Sequence, residues 1–422
     1  MQPAADLKFT SYQKFVVGIL AFLQFTIILD FMILSPLGAV LMPALKITPA
    51  QFGSVVSAYA FSAGVSGLLA AGFADRFDRK KLLLFFYSGF VIGTLLCGLA
   101  NSFPFLFAAR MFTGVFAGVI GSISFAIVTD LFPLAMRGRV MGVIQTAFAA
   151  SQVMGIPLGL YFSNHWGWNS PFLMIVVVSV SVGALIFWKL QPIAGHLLTK
   201  PDMSPVHHLF DTIKRPSYLR GFMATALLAT GGFMLMPFGS AFSVNNLKVD
   251  YGDLPLVYMV TGLASIAIGP FVGKLADTYG KMRLFTIGSI FSTFIILFYT
   301  QLGPTPLYEV IVINVAMFAS ISARIISSSA LISGIPDPRH RGSFMSINSS
   351  MQQISGGLAA QVAGLIVSQR ADGYIENFEK LGYCVVVAMV ITWVMMQYAH
   401  RDVVRTTGSG RGLSGEPQIA DL

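Results

Sequence analysis

The sequence predicts an all-α membrane protein of twelve transmembrane helices arranged in two pseudo-symmetric six-helix bundles. Three observations carry that prediction. Of the 422 residues, 55% are hydrophobic and only 11% charged, with a mean hydropathy of +0.74, whereas soluble domains carry roughly 25% charge. Twelve apolar stretches are long enough to cross hydrocarbon as helices, at about 20 residues each, and nothing alternates in the short segments of an outer-membrane barrel. Two loop motifs also recur at a nearly constant separation along the chain.

In chain order the spans fall near 14–41, 51–73, 82–100, 104–129, 139–163 and 170–190, then 218–243, 254–275, 284–302, 306–332, 342–369 and 380–399. The first contains no small-residue cleavage pattern, so it is expected to be a retained span. The least apolar internal stretch, 191–217, holds four prolines with His196, His207, His208, Lys200, Lys214 and Arg215, and reads as a linker. This divides the chain into an N-terminal bundle (1–190), a linker (191–217), a C-terminal bundle (218–400) and a tail (401–422). The Gly- and Ser-rich composition from Thr406 predicts disorder there.

Orientation follows from the cations. The N-terminus, the even-numbered loops, the linker and the tail together hold 21 Lys and Arg, against Lys46, Lys248, Arg370 and Lys380 in the odd-numbered loops. Both termini are therefore expected to be cytoplasmic, in a bacterial-type inner membrane. The net charge of +9 belongs to these topology signals and not to a nucleic-acid surface. Cys97 and Cys384 sit inside apolar runs and read as small hydrophobes. The six histidines, His165 and His400 among them, show no metal-ligand spacing. No phosphate-binding glycine loop is present, so no cofactor is expected and a proton gradient is the expected energy source.

Gly72, Asp75, Arg76, Asp78, Arg79, Lys80 and Lys81 follow span two, and Gly273, Asp277, Gly280, Lys281 and Arg283 follow span eight, a shift of 202 residues. Met136-Arg137-Gly138-Arg139 leads into span five and His340-Arg341-Gly342-Ser343 into span eleven, a shift of 204. Repeats of this length imply two homologous halves. On these residues the chain resembles the major facilitator superfamily, in the branch similar to bacterial drug and sugar efflux proteins.

That resemblance implies two bundles that rock about a midplane site. It implies that Asp75 faces the start of span eleven, that Arg79 pairs with Asp130, and that Asp277, Gly280 and Lys281 repeat the latch in the second half. Arg76 with its neighbours also marks topology. Asp78 stands where the family has glycine, a replacement expected to be tolerated because Asp accepts positive φ. Arg110-Met111-Phe112-Thr113-Gly114 is similar to a family pattern associated with proton coupling, with Thr113 in place of glutamine. Gly155-Ile156-Pro157-Leu158-Gly159 resembles the antiporter motif, with Ile156 in place of glycine. Its own physics is a bendable helix, because proline removes a backbone donor.

Asp30 lies about 16 residues into span one, or roughly 24 Å along a helix. An acid at that depth is expensive and marks a functional site by default. Arg110 lies about 9 Å from the outer start of span four, so the two are expected to meet. Arg324, deep in span ten, has no obvious acid. It is expected to meet either an anionic group in a wet cavity or backbone carbonyls. Ser343, Ser346, Asn348, Ser349, Ser350, Gln352, Gln353 and Ser355 on span eleven place too much hydrogen-bonding demand for lipid. Gln145, Thr146, Ser151 and Gln152 on span five, with Gln24 and Asn314, extend a candidate cavity. Gly114, Gly118 and Gly121 fit close helix packing.

The expected function is secondary transport, with a small amphiphilic organic compound exported against protons by a monomer that contacts lipid and no nucleic acid. Asp30 would carry the proton, Arg110 would tune it, and Arg324 would meet a negative group of the cargo. The alternatives are a sugar, lipid or organic-anion carrier without proton coupling, and a transport-dead membrane sensor or scaffold. No nucleophile and base at credible spacing point to an enzyme.

Overall fold

The structure, a computed structural model, describes residues 9–198, 212, 213, 215–337 and 340–411, with backbone alone at a few of them, Asp75, His196 and Arg341 included. His207, His208, Lys200 and Lys214 lie outside the described residues, as does the tail from 412. The N-terminal half is built from α1 (Ser11–Leu45), α2 (Pro49–Phe73), α3 (Arg79–Gly98), α4 (Phe103–Leu131), α5 and α6 (Ser170–Lys189). Helix α5 runs Leu134–Ala150, opens into a π-helical turn at Ser151–Gly155 and continues Ile156–Trp166. The C-terminal half comprises α7, α8 (Leu254–Tyr279), α9 (Lys281–Tyr299), α10 (Leu307–Ile332), α11 (Arg341–Ile366) and α12 (Phe378–Arg411). Helix α7 runs Pro216–Leu235, tightens into a 3-10 turn at Met236–Phe238 and ends Gly239–Asn245.

Local chemistry sets many of these limits. Thr10 and Thr48 cap α1 and α2, each accepting from the amide of a Gln three residues on while that Gln side chain accepts from the cap backbone, which satisfies two orphan donors at each helix start. Pro157 has no N–H for the carbonyl four residues earlier, and the widened turn just before it absorbs the missing bond. Asp78 departs from expectation. Its φ is −55° and it serves as the N-cap of α3, accepting from the Lys81 amide, so no positive φ is required there. In the second copy Gly280 does adopt φ +90°, a conformation that suits glycine.

Eleven of these helices are long and apolar enough to cross a membrane. The remaining one, α11, is 26 residues long but carries the Ser, Asn and Gln series. It packs along α2, with Ser350 of that series buried and Ser349 and Gln352 exposed. After α11 comes a two-stranded hairpin, β1 (Ser368–Gln369) against β2 (Ile375–Glu376), where span eleven was expected to continue to 369. Arg370 Nε donates to Glu376 in this hairpin, and that bond holds the Glu376 carboxyl below the usual carboxylate range. The tail boundary also shifts, because α12 continues in helix to Arg411 and not only to 400.

The largest apolar core draws on both halves. It joins the second half of α1, including Ile33, Leu37 and Leu41, to Phe238 and Phe242 of α7 and to Ala360 and Ala363 of α11, all on the side of Lys46. On the side of the termini the cores separate. One lies wholly in the N-terminal half, from Val16 to Ile193, and another in the C-terminal half around Phe222, Phe285 and Phe344, with Leu68 of α2 against it. The halves thus share one core away from the termini and keep separate cores toward them, with Leu68 of α2 reaching across. Ser240 Oγ donates to the Ser35 carbonyl at 2.8 Å, Ser163 and Tyr251 share a bond of 3.0 Å, and Ser57 donates to Gln361 at 3.1 Å across the seam.

Glycines set the closest approaches. A Cβ on Gly53 would stand 2.7 Å from the Ala360 carbonyl oxygen and one on Gly364 2.7 Å from that of Pro49. Within the N-terminal half, a Cβ on Gly114 or Gly118 would collide with the Tyr59 or Ala63 carbonyl of α2. Gly121 does not share this role, since nothing lies within 4 Å of the position its Cβ would take. Gly118→Ala should therefore cost about 1–3 kcal/mol through overpacking, seen as a lower thermal midpoint in detergent, while Gly121→Ala should leave the midpoint unchanged. Equal losses would contradict this packing.

Candidate functional site

Asp30 of α1 and Arg110 of α4 meet inside the N-terminal half. Arg110 Nη1 donates to Asp30 Oδ2 at 2.8 Å, and both side chains are 0% exposed. Thr94 of α3 donates to Asp30 Oδ1 at 3.1 Å, and Arg110 Nη1 also reaches the Asp30 carbonyl at 3.3 Å. The Arg110 guanidinium lies over the Tyr59 ring of α2, 4.3 Å from its centroid, a cation–π contact strengthened where water is excluded. Cys97 and Thr113, 3.8 Å apart, sit beside the pair, and Thr113 spends its own proton on the Ala109 carbonyl.

The satisfaction of this cluster is incomplete. Arg110 Nε and Nη2 and the Tyr59 hydroxyl are buried, and none has a hydrogen-bond partner among the described residues. A guanidinium has five donors in a fixed fork, and an Arg–carboxylate pair often engages two of them. Here one carboxylate oxygen takes one donor. No water-accessible surface remains on either charged side chain. Asp30 points toward α3 and α4 and not into the space between the halves, because Thr94 and Arg110 are the groups that neutralise it. A cavity of about 590 Å³ lies on another face, between α2, α4 and Gln361 of α11. Val65, Leu69, Met111 and Val115 are exposed there on the flank that would face lipid.

From this cluster an aromatic path leads to the other half. Tyr59 packs on Phe31 of α1 at 5.3 Å between centroids, and Phe31 packs on Phe233 of α7 at 5.6 Å. Gly155 and Gly159 of α5 let Leu29 and Ile33 of α1 approach closely, with half-buried Pro157 beside them.

The loop motifs are split. Arg79 Nε donates to Asp130 Oδ2 at 3.0 Å, with side chains 5% and 21% exposed, while its Nη1 donates to the Ala74 carbonyl at 2.9 Å. Arg137 caps the end of α4 by donating to the Thr129 and Phe132 carbonyls, where a cation suits the helix dipole. The side chain of Asp75 lies outside the described residues. Arg76 and Asp277 are exposed and Lys281 is half-buried, so the second copy does not repeat the buried pairing of the first. Instead Arg215 Nη1 donates to Asp337 at 2.7 Å and Tyr218 donates to the same oxygen at 3.3 Å. That hydrogen bond raises the pKa of Arg215 above its ordinary value.

Among the polar candidates, Gln152 is buried at the seam between α5 and α8, where Gly262 approaches its backbone. Asn348 accepts from Thr225 at 2.6 Å within the C-terminal half. Asn314 spends a donor on the Val310 carbonyl of its own helix. Gln24 and Gln353 are half-buried, and Gln145, Thr146 and Gln352 are exposed. Arg324 lies between α10 and α9, where its Nε donates to Ser289 at 3.2 Å. Thr94, Tyr59 and Gln361 were not singled out by sequence. Each stands apart from the clustered polar runs that mark spans five and eleven.

The sequence model of the Major Facilitator Superfamily matches residues 20–360. The MFS-type transporter YceJ of Bacillus subtilis (strain 168) is 25% identical over 272 residues, covering 63% of this chain and 68% of its own. A "Probable sugar efflux transporter" of Helicobacter pylori (strain HPAG1) is 25% identical over 223 residues, covering 52% and 54%. The chain thus spans from about a quarter to about two thirds of the length of the curated relatives it matches. In fold it is similar to an inward-facing bacterial homologue of the human lysosomal transporter Spinster, with a TM-score of 0.74 at 17% identity over 94% of this chain and 99% of that one. It is also similar to the nucleoside transporter NupG, with a TM-score of 0.72 at 14% identity over 92% and 99%. Two six-helix halves joined by a shared core, a family match across most of both, and a fold shared with transporters of small molecules lead to one conclusion: this multi-pass membrane chain belongs to the Major Facilitator Superfamily and is a transporter, not an enzyme.

Proposed function

We propose that the protein exports a small amphiphilic organic compound in exchange for protons, by alternating access across a bacterial inner membrane with both termini in the cytoplasm. The observation that carries this reading is the buried Asp30–Arg110 pair with two guanidinium positions left without acceptors. A buried pair kept for stability alone is a poor investment, since apolar residues of similar volume often serve as well. A pair that is under-coordinated in one state can gain partners in another. Protonation of Asp30 would release Arg110 from its only carboxylate. The guanidinium would then shift over Tyr59, and the Phe31 and Phe233 rings offer a packed route from that shift to the other half.

In this reading the pair is dry in the arrangement described here, and it must open during the cycle for the proton to enter or leave. Arg79, Asp130, Asp75 and the Asp277 loop act as latches on the terminus side, and the turn before Pro157 supplies the bend in α5. Gln152, Asn348, Gln352, Gln353, Gln24, Gln145 and Asn314 supply candidate hydrogen bonds for cargo. No cofactor is needed beyond the proton gradient. A second reading, a sugar or organic-anion carrier without proton coupling, is favoured by this amide-rich set and by the sugar-efflux relative.

Coupling and stability separate the two readings. In reconstituted vesicles Asp30→Asn should abolish uphill transport driven by a proton gradient while facilitated exchange of cargo persists. Undiminished coupling would refute the proton role. The same variant leaves Arg110 as a buried cation with no carboxylate, which should cost about 3–5 kcal/mol, read as a fall in the thermal midpoint. The double variant Asp30→Asn/Arg110→Gln should recover most of that stability without recovering coupling. If the double variant regained both, the pair would be a structural bridge only.

A further inference from the structure

Arg324 is 3% exposed and sits deep in α10, where an uncompensated charge is costly. Among the described residues no carboxylate pairs with it. Glu309, on the same helix, lies 15 residues away or roughly 22 Å, is exposed, and accepts from Tyr308. The one hydrogen bond described for Arg324 runs from Nε to Ser289 at 3.2 Å. The Phe285 ring, 5.8 Å from the guanidinium carbon, lies near the outer limit of a cation–π contact and takes none of the N–H groups. Arg324 Nη2 is buried without a partner, and so is the hydroxyl of Ser327, three residues on and on the same face of the helix.

Two unspent donors, one of them charged, therefore lie one turn apart on α10, beside the point where Arg324 meets Ser289 of α9. The hydroxyls around them are already engaged. Ser289 donates to the Phe285 carbonyl, Ser292 to Ser320, and Ser320 to the Met317 carbonyl. The helices approach closely here, since a Cβ on Gly288 would stand 3.0 Å from the Ala323 Cβ and 3.3 Å from the Arg324 Cγ. What this place lacks is negative charge in a small volume.

We propose that Arg324 and Ser327 form a seat for a single monovalent anion of halide size between α9 and α10. Such an ion neutralises the buried guanidinium, accepts from Nη2 and from the Ser327 hydroxyl, and stabilises the C-terminal half. The seat is independent of the proton reading, because every group named lies in the other half from Asp30. It also reassigns Arg324 from cargo to a bound ion, since a cargo acid would need a passage between two packed helices.

Thermal unfolding of the purified full chain at constant ionic strength tests this, with sodium bromide or chloride replacing sodium gluconate. Wild-type protein should show a saturable rise in midpoint with halide, as mass action requires for a ligand of the native state. Arg324→Met should lose that dependence. Ser327→Ala, which removes one hydroxyl and leaves the charge, should weaken the apparent halide affinity about tenfold, the scale of one hydrogen bond to a charged group. Halide dependence that is absent in wild type, or unchanged in Ser327→Ala, overturns the proposal. Stabilisation by benzoate but not by halide also overturns it, in favour of a cargo carboxylate.

Discussion

In hydrocarbon a lone charge is prohibitive, and the N-terminal half of this transporter is arranged around that fact. Asp30 on α1 and Arg110 on α4 lie 2.8 Å apart with no exposure, and four helices supply what surrounds them. The neutralisation is necessary but not generous. One carboxylate oxygen takes a single guanidinium donor, the other takes the Thr94 hydroxyl, and Tyr59 covers the cation with its ring face. Removing either charge would strand the other, so the pair can change only by moving a proton or by moving the helices that carry it.

That constraint links the pair to the way the halves meet. Away from the termini they share one apolar core, tightened by glycine contacts between α2 and α11 and by the Ser35, Ser57 and Ser163 bonds. Toward the termini each half keeps its own core. Between these cores α2 and α11 stay in contact as far as Gly67 and Ser350. The π turn before Pro157 interrupts α5, and the Arg79–Asp130 pair ties α3 to α4 within the N-terminal half. The Phe31 stack connects α1, which carries the acid, directly to α7 across the interface.

Most of the architecture was legible because it rests on signals that survive without coordinates. Span length, the 202- and 204-residue echoes and the polar run on α11 each reflect a demand of the bilayer or of duplication. The meeting of Asp30 with Arg110 was legible for a similar reason, since depth follows from helical rise and buried opposite charges must find each other. Direction was not legible. Depth along a helix says nothing about rotation around it, so the side of α1 from which Asp30 faces α3 and α4 could not be read. The same blindness hid Thr94 and Tyr59, placed Gly121 on a packing face, and left the partner of Arg324 open between an anionic group and backbone carbonyls. Asp78 shows a subtler limit, because a motif position that holds glycine elsewhere was met here by a helix cap.

The central claim is that Asp30 takes up and gives up a proton while the protein works. Difference infrared spectroscopy of the protein in lipid, comparing acid with alkaline buffer and cargo with no cargo, reads protonated carboxyl groups directly. Proton exchange at Asp30 should give a carbonyl stretch of a buried carboxylic acid that appears on acidification, shifts when cargo binds, and is missing from Asp30→Asn. A wild-type spectrum in which no such band changes, or one in which the band persists in Asp30→Asn, would mean that the pair stays ionised throughout and only holds two helices together.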